Sequence, residues 1–187
     1  MTGRGWSVHA WRAWSQAFAS AQDGHVTHHG TEEGMLQHLS TDTRTLNRPD
    51  ESIFFALVGP WHDGHDHIAE AHTAGVRRWV VSKPPKESDA WTQDSDVLVV
   101  PDVMAALQHA ARTQRDAFEG PVLAITGSNG KTTVKEWVAS LLPERLAIHR
   151  SPLSHNSQLG VPLSVWSLEQ HHDLSLIEAG ISHPGEM

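Results

Sequence analysis

The sequence predicts an α/β protein, because short apolar runs alternate with segments of helical periodicity along most of the chain. A glycine-rich turn at residues 126–133 joins one of these runs to an amphipathic segment, the order expected of a strand, a loop and a helix. The chain has 187 residues, of which 39% are hydrophobic, so it can form one large or two small domains with a core.

The first twenty residues are predicted to form a helix. Trp6, Ala10, Trp14 and Phe18 recur every four residues. This spacing places them along one side of a helix, where an aromatic stripe packs into a core or against a partner. Residues 30–39 are polar and give no clear prediction.

A strand–helix alternation follows and predicts the first α/β layer. Residues 53–58 are an apolar run that ends at a Gly-Pro turn, and residues 79–81 and 97–100 are two further apolar runs. Between the first two runs, residues 68–74 have a helical pattern, with Gly75 in position to end the helix.

We expect a domain boundary near Pro101. Asp102 is well placed to cap a helix that runs to about Phe118. The predicted domains are therefore residues 1–101, a small α/β domain, and residues 102–187, the first part of a domain with a mostly parallel sheet.

The glycine-rich turn predicts a phosphate-binding loop. Residues 122–126 have the pattern of a short buried strand. After the turn, one helix face carries the apolar residues Val134, Trp137, Val138, Leu141 and Leu142. The loop thus lies at a helix N-terminus, where free N–H groups and the helix dipole favour an anion. Only two residues separate Gly127 from Gly130, fewer than in the common phosphate loop.

Metal binding is predicted at the same loop. Lys131 is in position to reach the outer phosphates of a nucleotide, and the Thr132 hydroxyl to reach Mg²⁺. Further along, residues 146–148 and 174–177 are predicted strands, and residues 156–168 a loop and helix. Glu178 follows the last strand, and the carboxyl ends of parallel strands meet at one sheet edge. Its carboxylate is therefore expected near the phosphate loop, as a second Mg²⁺ ligand.

Composition excludes several classes of function. A net charge of −8 argues against non-specific nucleic-acid binding. The absence of cysteine excludes disulfides and thiolate catalysis. No segment has the length and apolarity of a membrane span or signal peptide. We interpret the histidines of residues 62–67 as a turn that contacts substrate or solvent, rather than as a metal site.

Several motifs in order resemble the Mur ligases, ATP-dependent amide-forming enzymes of peptidoglycan precursor synthesis. The matching segments are residues 40–44, 53–59, 63–66, 126–133, 156–162 and 177–186. The resemblance covers roughly residues 40–187 and is strongest to the members that add D-alanyl-D-alanine to a UDP-N-acetylmuramoyl-tripeptide. It departs from the family at Ser157, where a second asparagine is common, and at Thr43, where serine is common.

The resemblance implies a three-domain cytoplasmic enzyme, a monomer that acts in cell-wall biogenesis and thus in cell shape and division. It implies a UDP-sugar domain, a P-loop ATPase domain and a C-terminal domain, of which this chain would hold the first and part of the second, inactive alone. ATP and Mg²⁺ would activate the peptide carboxylate as an acyl phosphate, which the amine of D-alanyl-D-alanine then attacks.

The resemblance also implies roles for individual residues. Lys131 and Glu178 would be catalytic, and Thr132 and Glu178 would hold the metal. The residues implied to bind ATP are Gly127, Ser128, Asn129, Gly130, Lys131, Thr132, Thr133 and Asn156. The residues implied to contact the UDP-sugar are Thr41, Asp42, Thr43, Arg44 and His65.

Two alternatives remain open from the sequence. One is a ligase similar to folylpolyglutamate synthase, which shares the ATPase core but begins close to the phosphate loop, whereas about 120 residues precede the loop here. The other is a non-catalytic module that binds a UDP-sugar or a nucleotide.

Overall fold

The computed structural model describes residues 5–86, 88–152 and 155–180, and it confirms the α/β fold with mostly parallel sheets. Two compact units are present, Gly5–Leu107 and a second that begins at Gln108. The boundary expected near Pro101 precedes this division, and the assignment of a function to each domain stays a prediction. Within the described ranges, no helix has the length and apolarity that a membrane crossing requires.

The first unit contains a five-stranded sheet. Its elements in chain order are β1 (Trp6–Ser7), α1 (Val8–Ala21), β2 (His25–His28), β3 (Met35–Leu36), β4 (His38–Ser40), β5 (Ser52–Phe55), α2 (Ile68–Ala74), β6 (Arg78–Val81) and β7 (Asp96–Val99). The strand order is β2-β7-β6-β5-β4, in which β4 to β7 are parallel and β2 is antiparallel to β7. Strands β1 and β3 form a separate antiparallel pair.

The central strands are where the apolar runs predicted them. Every residue of β5, β6 and β7 is buried, which explains why these strands read as continuous apolar runs. Helix α2 has the predicted bounds and ends at Gly75, whose φ of 123° lies in the left-handed region that favours glycine. The sequence did not reveal β2, because its four residues are polar or half-buried and pair at the edge of the sheet.

The aromatic stripe belongs to the core of the first unit. Ser7 caps α1 by accepting a hydrogen bond from the N–H of Ala10. Trp14 is buried and stacks on Phe18, with ring centroids 5.3 Å apart. Trp11, which the four-residue spacing missed, is fully buried and packs against Trp14. Ala10 is only half-buried.

The second unit contains a three-stranded parallel sheet of order β8-β10-β9. The elements after β7 are α3 (Val103–Ala117), β8 (Val122–Ile125), α4 (Lys131–Leu141), β9 (Ile148–Arg150), α5 (Gly160–Trp166) and β10 (Leu174–Glu178). Asp102 caps α3 as predicted, since its side chain accepts a hydrogen bond of 2.9 Å from the N–H of Ala105.

Two expectations about burial in the second unit are wrong. Strand β8 was expected to be buried, but it lies at a sheet edge, and Leu123 is 44% exposed. The apolar face of α4 is also only partly buried, because Val138 and Leu142 are half-buried but Trp137 is 65% and Leu141 85% accessible. The fully buried residue of α4 is instead Lys135, whose Nζ lies 3.7 Å from Glu178 Oε2 at the end of β10.

Candidate functional site

The loop between β8 and α4 has the backbone that a phosphate cradle requires. Gly127 and Gly130 have φ values of 143° and 76°, in the region that side chains other than glycine's rarely adopt. Gly130 forms the N-terminal cap of α4 without a side-chain hydrogen bond, and the first turn contains no acidic residue. The positive end of the helix dipole is therefore not neutralised by a cap or carboxylate of that turn.

The first amides of α4 are free of helical partners. The first bond of the helix runs from the N–H of Val134 to the carbonyl of Gly130 over 2.9 Å. The N–H groups of residues 131–133 precede it, so no helix carbonyl is available to them. Lys131 lies beside them, and its Nζ donates to the carbonyl of Gly127 over 2.8 Å in an exposed contact. The loop thus offers backbone donors and the cation of Lys131 to an anion.

Glu178 ends β10 beside this loop, and it is only 1% exposed. Its Oε2 accepts a hydrogen bond of 2.7 Å from the hydroxyl of Thr132, and its Oε1 accepts one of 2.7 Å from the amide of Asn156. The backbone N–H of Glu178 donates to Ser151 Oγ over 3.0 Å. The structure therefore brings Thr132 of α4 and Asn156, which precedes α5, together at the carboxylate of Glu178, as the sequence predicted.

The surroundings of Glu178 keep its carboxylate ionised. Burial raises its pKa, but hydrogen bonds from Thr132 and Asn156 and the positive charges of Lys135 and Lys131 lower it by more. The net result is a pKa below the ordinary value of 4.5. An ionised carboxylate is the form that a metal ion requires.

A cavity of about 330 Å³ opens in front of this carboxylate. It is lined by residues 128–133, Asn156 and Glu178, which include every residue proposed for ATP binding except Gly127. Ser157, the position where the family often has a second asparagine, does not line it. Its hydroxyl instead accepts a hydrogen bond of 3.1 Å from the N–H of Gly160 at the start of α5.

A larger cavity, of about 360 Å³, lies between α3 and α5. Its lining is mainly apolar, and it reaches the residues beside Asn156 and Glu178. It contains neither the glycine loop nor a carboxylate, so the smaller cavity is the candidate site for phosphate and metal.

The donor atoms at this site fit Mg²⁺. Thr132 Oγ1 and Glu178 Oε2 are both oxygen atoms, the ligand type that Mg²⁺ prefers. They lie 2.7 Å apart, close to the separation of about 2.9 Å between neighbouring ligands of an octahedral ion with bonds of about 2.05 Å. The pair could hold the ion without a large rearrangement of either side chain.

In the first unit, the predicted UDP-sugar residues lie where β4 ends. Asp42 caps the turn that follows, accepting a hydrogen bond of 2.9 Å from the N–H of Arg44. The Arg44 guanidinium also pairs with this carboxylate, and these two hydrogen bonds lower the pKa of Asp42 to about 2. The Thr43 hydroxyl donates to Glu70 over 3.2 Å. Thr41 lies between Ser40, the end of β4, and this turn.

His65 is held by the protein on both sides of its ring. Nδ1 lies 2.6 Å from Asp63 Oδ1, and Nε2 accepts hydrogen bonds from the N–H groups of Ser82 and Lys83 over 3.1 and 3.3 Å. This pattern joins the loop after β5 to the end of β6. Within the described ranges, no cluster of three or more His, Cys, Asp or Glu residues is arranged to hold a metal.

Sequence reasoning missed two lysines. Lys83 lies two residues after the end of β6 and pairs with Asp63, a bond that raises the lysine's pKa. It therefore adds a cation to the same sheet edge as Arg44, and its place after an apolar strand could have revealed it. Lys135 lies behind Glu178, and no pattern in the sequence distinguishes it from a surface lysine.

Residues 125–187 match the Mur ligase middle domain. The UDP-N-acetylmuramoyl-tripeptide–D-alanyl-D-alanine ligase of Synechocystis is 32% identical over 157 residues, which is 84% of this chain. The chain belongs to the Mur ligase family. The corresponding ligases of Bacillus subtilis and Escherichia coli are 32% and 33% identical over 83% and 81% of the chain.

Solved Mur ligase structures have the same fold. MurF from Acinetobacter baumannii aligns with a TM-score of 0.77 and 28% identity, over 91% of this chain and 36% of that one. MurF from Thermotoga maritima in complex with ADP aligns with a TM-score of 0.68 and 27% identity, over 81% of this chain and 34% of that one. The chain spans about a third of the curated relatives, from 32% to 34% of the three named above.

Proposed function

We propose that the intact protein containing this chain is an ATP-dependent ligase that adds D-alanyl-D-alanine to a UDP-N-acetylmuramoyl-tripeptide through an acyl phosphate. The observation that carries the proposal is the cavity in which Lys131, Thr132 and Glu178 converge on the free amides of α4. The names of the relatives support the choice of substrates, and the ADP complex of the Thermotoga maritima enzyme supports the nucleotide.

We assign the binding of the ATP phosphates to the second unit. The N–H groups at the start of α4 would hold the phosphate oxygens, because the helix dipole and unpaired donors favour negative charge there. Residues 127–133 would wrap the phosphate chain, and Asn156 would act by orienting Glu178 rather than by touching the nucleotide.

Lys131 would neutralise charge on the phosphoryl group that is transferred. Its amine donates to the carbonyl of Gly127 in an exposed contact that a phosphate oxygen can replace. Thr132 and Glu178 would hold Mg²⁺, which when bound would supply positive charge to the phosphate oxygens. In this way the protein would turn an unreactive carboxylate into a reactive acyl group.

We assign the UDP end of the peptide substrate to the first unit. Arg44 is exposed at the carboxyl edge of a parallel sheet, with Thr41, Asp42 and Thr43 beside it, and ligands commonly bind at such edges. Lys83 adds a second exposed cation, suited to a diphosphate. His65 would act indirectly, by fixing the backbone that precedes the Lys83 side chain.

The proposed cellular location and process follow from the proposed substrates. We expect a cytoplasmic monomer that contributes to cell-wall biogenesis, cell shape and cell division. A net charge of −8 supports small-molecule rather than nucleic-acid partners.

The proposal is tested with the purified intact gene product. Mass spectrometry should detect the UDP-N-acetylmuramoyl-pentapeptide only when ATP, Mg²⁺, the tripeptide substrate and D-alanyl-D-alanine are all present, with one phosphate released per bond. Glutamylation of a folate in a parallel assay would favour the folylpolyglutamate synthase-like alternative. Binding of UDP-sugar and nucleotide without any product would favour the non-catalytic module.

A further inference from the structure

A fully buried lysine lies behind the proposed metal ligand. Lys135 is one turn after Lys131 on α4, and its exposed fraction is 0%. Its Nζ donates to the carbonyl of Ser151 over 2.7 Å and lies 3.7 Å from Glu178 Oε2. Burying a lysine to this degree costs free energy unless its charge is paired. Lys135 therefore requires a defined partner, which a surface lysine does not.

Lys135 faces the same oxygen that is proposed for the metal. Glu178 Oε2 accepts a hydrogen bond from the hydroxyl of Thr132 on the cavity side. The ammonium of Lys135 lies on its buried side. Glu136 also lies 3.6 Å from this ammonium, but it is half-exposed and paired with Arg150 over 2.9 Å. Glu178 is therefore a buried, oppositely charged partner of Lys135.

The local charges do not favour a divalent cation by itself. The single negative charge of Glu178 is opposed by Lys135, by Lys131 at the cavity rim and by the positive end of the α4 dipole. A nucleotide triphosphate reverses this balance, because its phosphates add several negative charges at the cavity. A metal ion that arrives with the phosphates meets a favourable field, and one that arrives alone does not.

We propose that Lys135 keeps divalent cations away from Glu178 until the nucleotide is bound, so that the metal enters the site together with the triphosphate. The inference rests on the proposed nucleotide site and adds an order of binding to it. Lys135 acts through Glu178 and is a positioning residue. Before the nucleotide binds, the ammonium of Lys135 also holds the carboxylate of Glu178 in place.

The test is a titration with Mn²⁺ alone, since Mn²⁺ uses the same oxygen ligands as Mg²⁺ and its free form is measured by electron paramagnetic resonance. In the intact protein without nucleotide, the unsubstituted form and Glu178→Gln should bind Mn²⁺ equally weakly. Lys135→Met, which keeps the length and packing of the side chain, should bind Mn²⁺ at least about tenfold more tightly. Lys135→Arg, which keeps the charge, should behave as the unsubstituted protein.

A second substitution assigns any gain to the proposed site. The double variant Lys135→Met with Glu178→Gln should lose the added Mn²⁺ affinity. Lys135→Gln, which removes the charge but keeps a hydrogen-bond donor, should gain affinity as Lys135→Met does. Circular dichroism establishes that each variant is folded.

The proposal fails if folded Lys135→Met or Lys135→Gln binds Mn²⁺ alone no better than the unsubstituted protein. It also fails if the unsubstituted protein binds one Mn²⁺ without nucleotide and Glu178→Gln abolishes that binding, a result that requires no Lys135 variant. Neither outcome depends on ligation. A protein that makes no pentapeptide but shows the Lys135 effect would contradict the proposed function and leave this inference standing.

Discussion

The hydroxyl of Thr132 and the carboxylate of Glu178 are joined by a hydrogen bond of 2.7 Å, although 46 residues separate them in the chain. The contact connects the first turn of α4 to the last residue of β10. It is the geometric basis of the proposed metal site, because it places two oxygen ligands at the spacing of an octahedral ion.

Glu178→Gln is expected to weaken the binding of Mg·ATP about tenfold or more, since a charged metal ligand is replaced by a neutral one. Binding of ATP measured in the presence of a chelator should change little, because the α4 amides are retained. Isothermal calorimetry separates the two affinities. Thr132→Ser serves as the control that keeps the hydroxyl, and an equal loss with and without metal would exclude the proposed ligand role.

Lys131→Ala is expected to abolish detectable ligation in the intact protein. The substitution removes a charge-assisted contact worth about 1.5–3 kcal/mol in binding alone, and the loss grows where charge develops during phosphoryl transfer. Phosphate release and pentapeptide formation provide the measurement. Arg145→Ala removes an exposed cation elsewhere in the same unit and should ligate normally. Normal turnover by Lys131→Ala would contradict the proposal that this lysine neutralises charge on the transferred phosphoryl group.

Arg44→Ala is expected to weaken UDP-sugar binding about tenfold, with little effect on ATP affinity. The guanidinium is 84% exposed, so its loss should not disturb the core of the first unit. Calorimetry with each ligand in turn distinguishes the two effects. Lys86→Ala is a matched control, an exposed cation of the same unit. Comparable losses for both ligands would contradict the assignment of separate substrates to the two units.

Asp42 is expected to titrate at about pH 2, well below its ordinary value of 3.8, because of hydrogen bonds from the side chain and backbone of Arg44. A lowered pKa in the folded state stabilises the fold above pH 3.8, and this contribution is lost as the pH falls through 3.8 toward 2. A carboxyl-carbon NMR titration measures it directly. In Arg44→Gln the pKa should move back toward 3.8, and an unchanged value would show that the pair does not exist in solution.

Much of the fold could be predicted wherever the local sequence pattern agreed with the tertiary structure. Helix α2 and its end at Gly75 follow from periodicity and from the positive φ that glycine tolerates. Glu178 was expected near the phosphate loop because β8 and β10 are parallel, so their carboxyl ends meet at the same edge.

The remainder depended on contacts between distant residues. Strand β2 is polar and short, and it is defined only by its pairing with β7. In an amphipathic helix the apolar residues are normally buried and the charged residues exposed. In α4, Trp137 is exposed and Lys135 is buried, the opposite of this pattern. A buried lysine becomes favourable only when a partner such as Glu178 is present, and that partner lies in another element.

The most direct test of the account is a crystal structure of the intact protein with Mg²⁺ and a non-hydrolysable ATP analogue. We predict that the β- and γ-phosphates contact the N–H groups of residues 128–133, with the metal bound to Thr132 Oγ1 and Glu178 Oε2. A triphosphate bound elsewhere, or one in this cavity with no metal near Glu178, would contradict the proposed site.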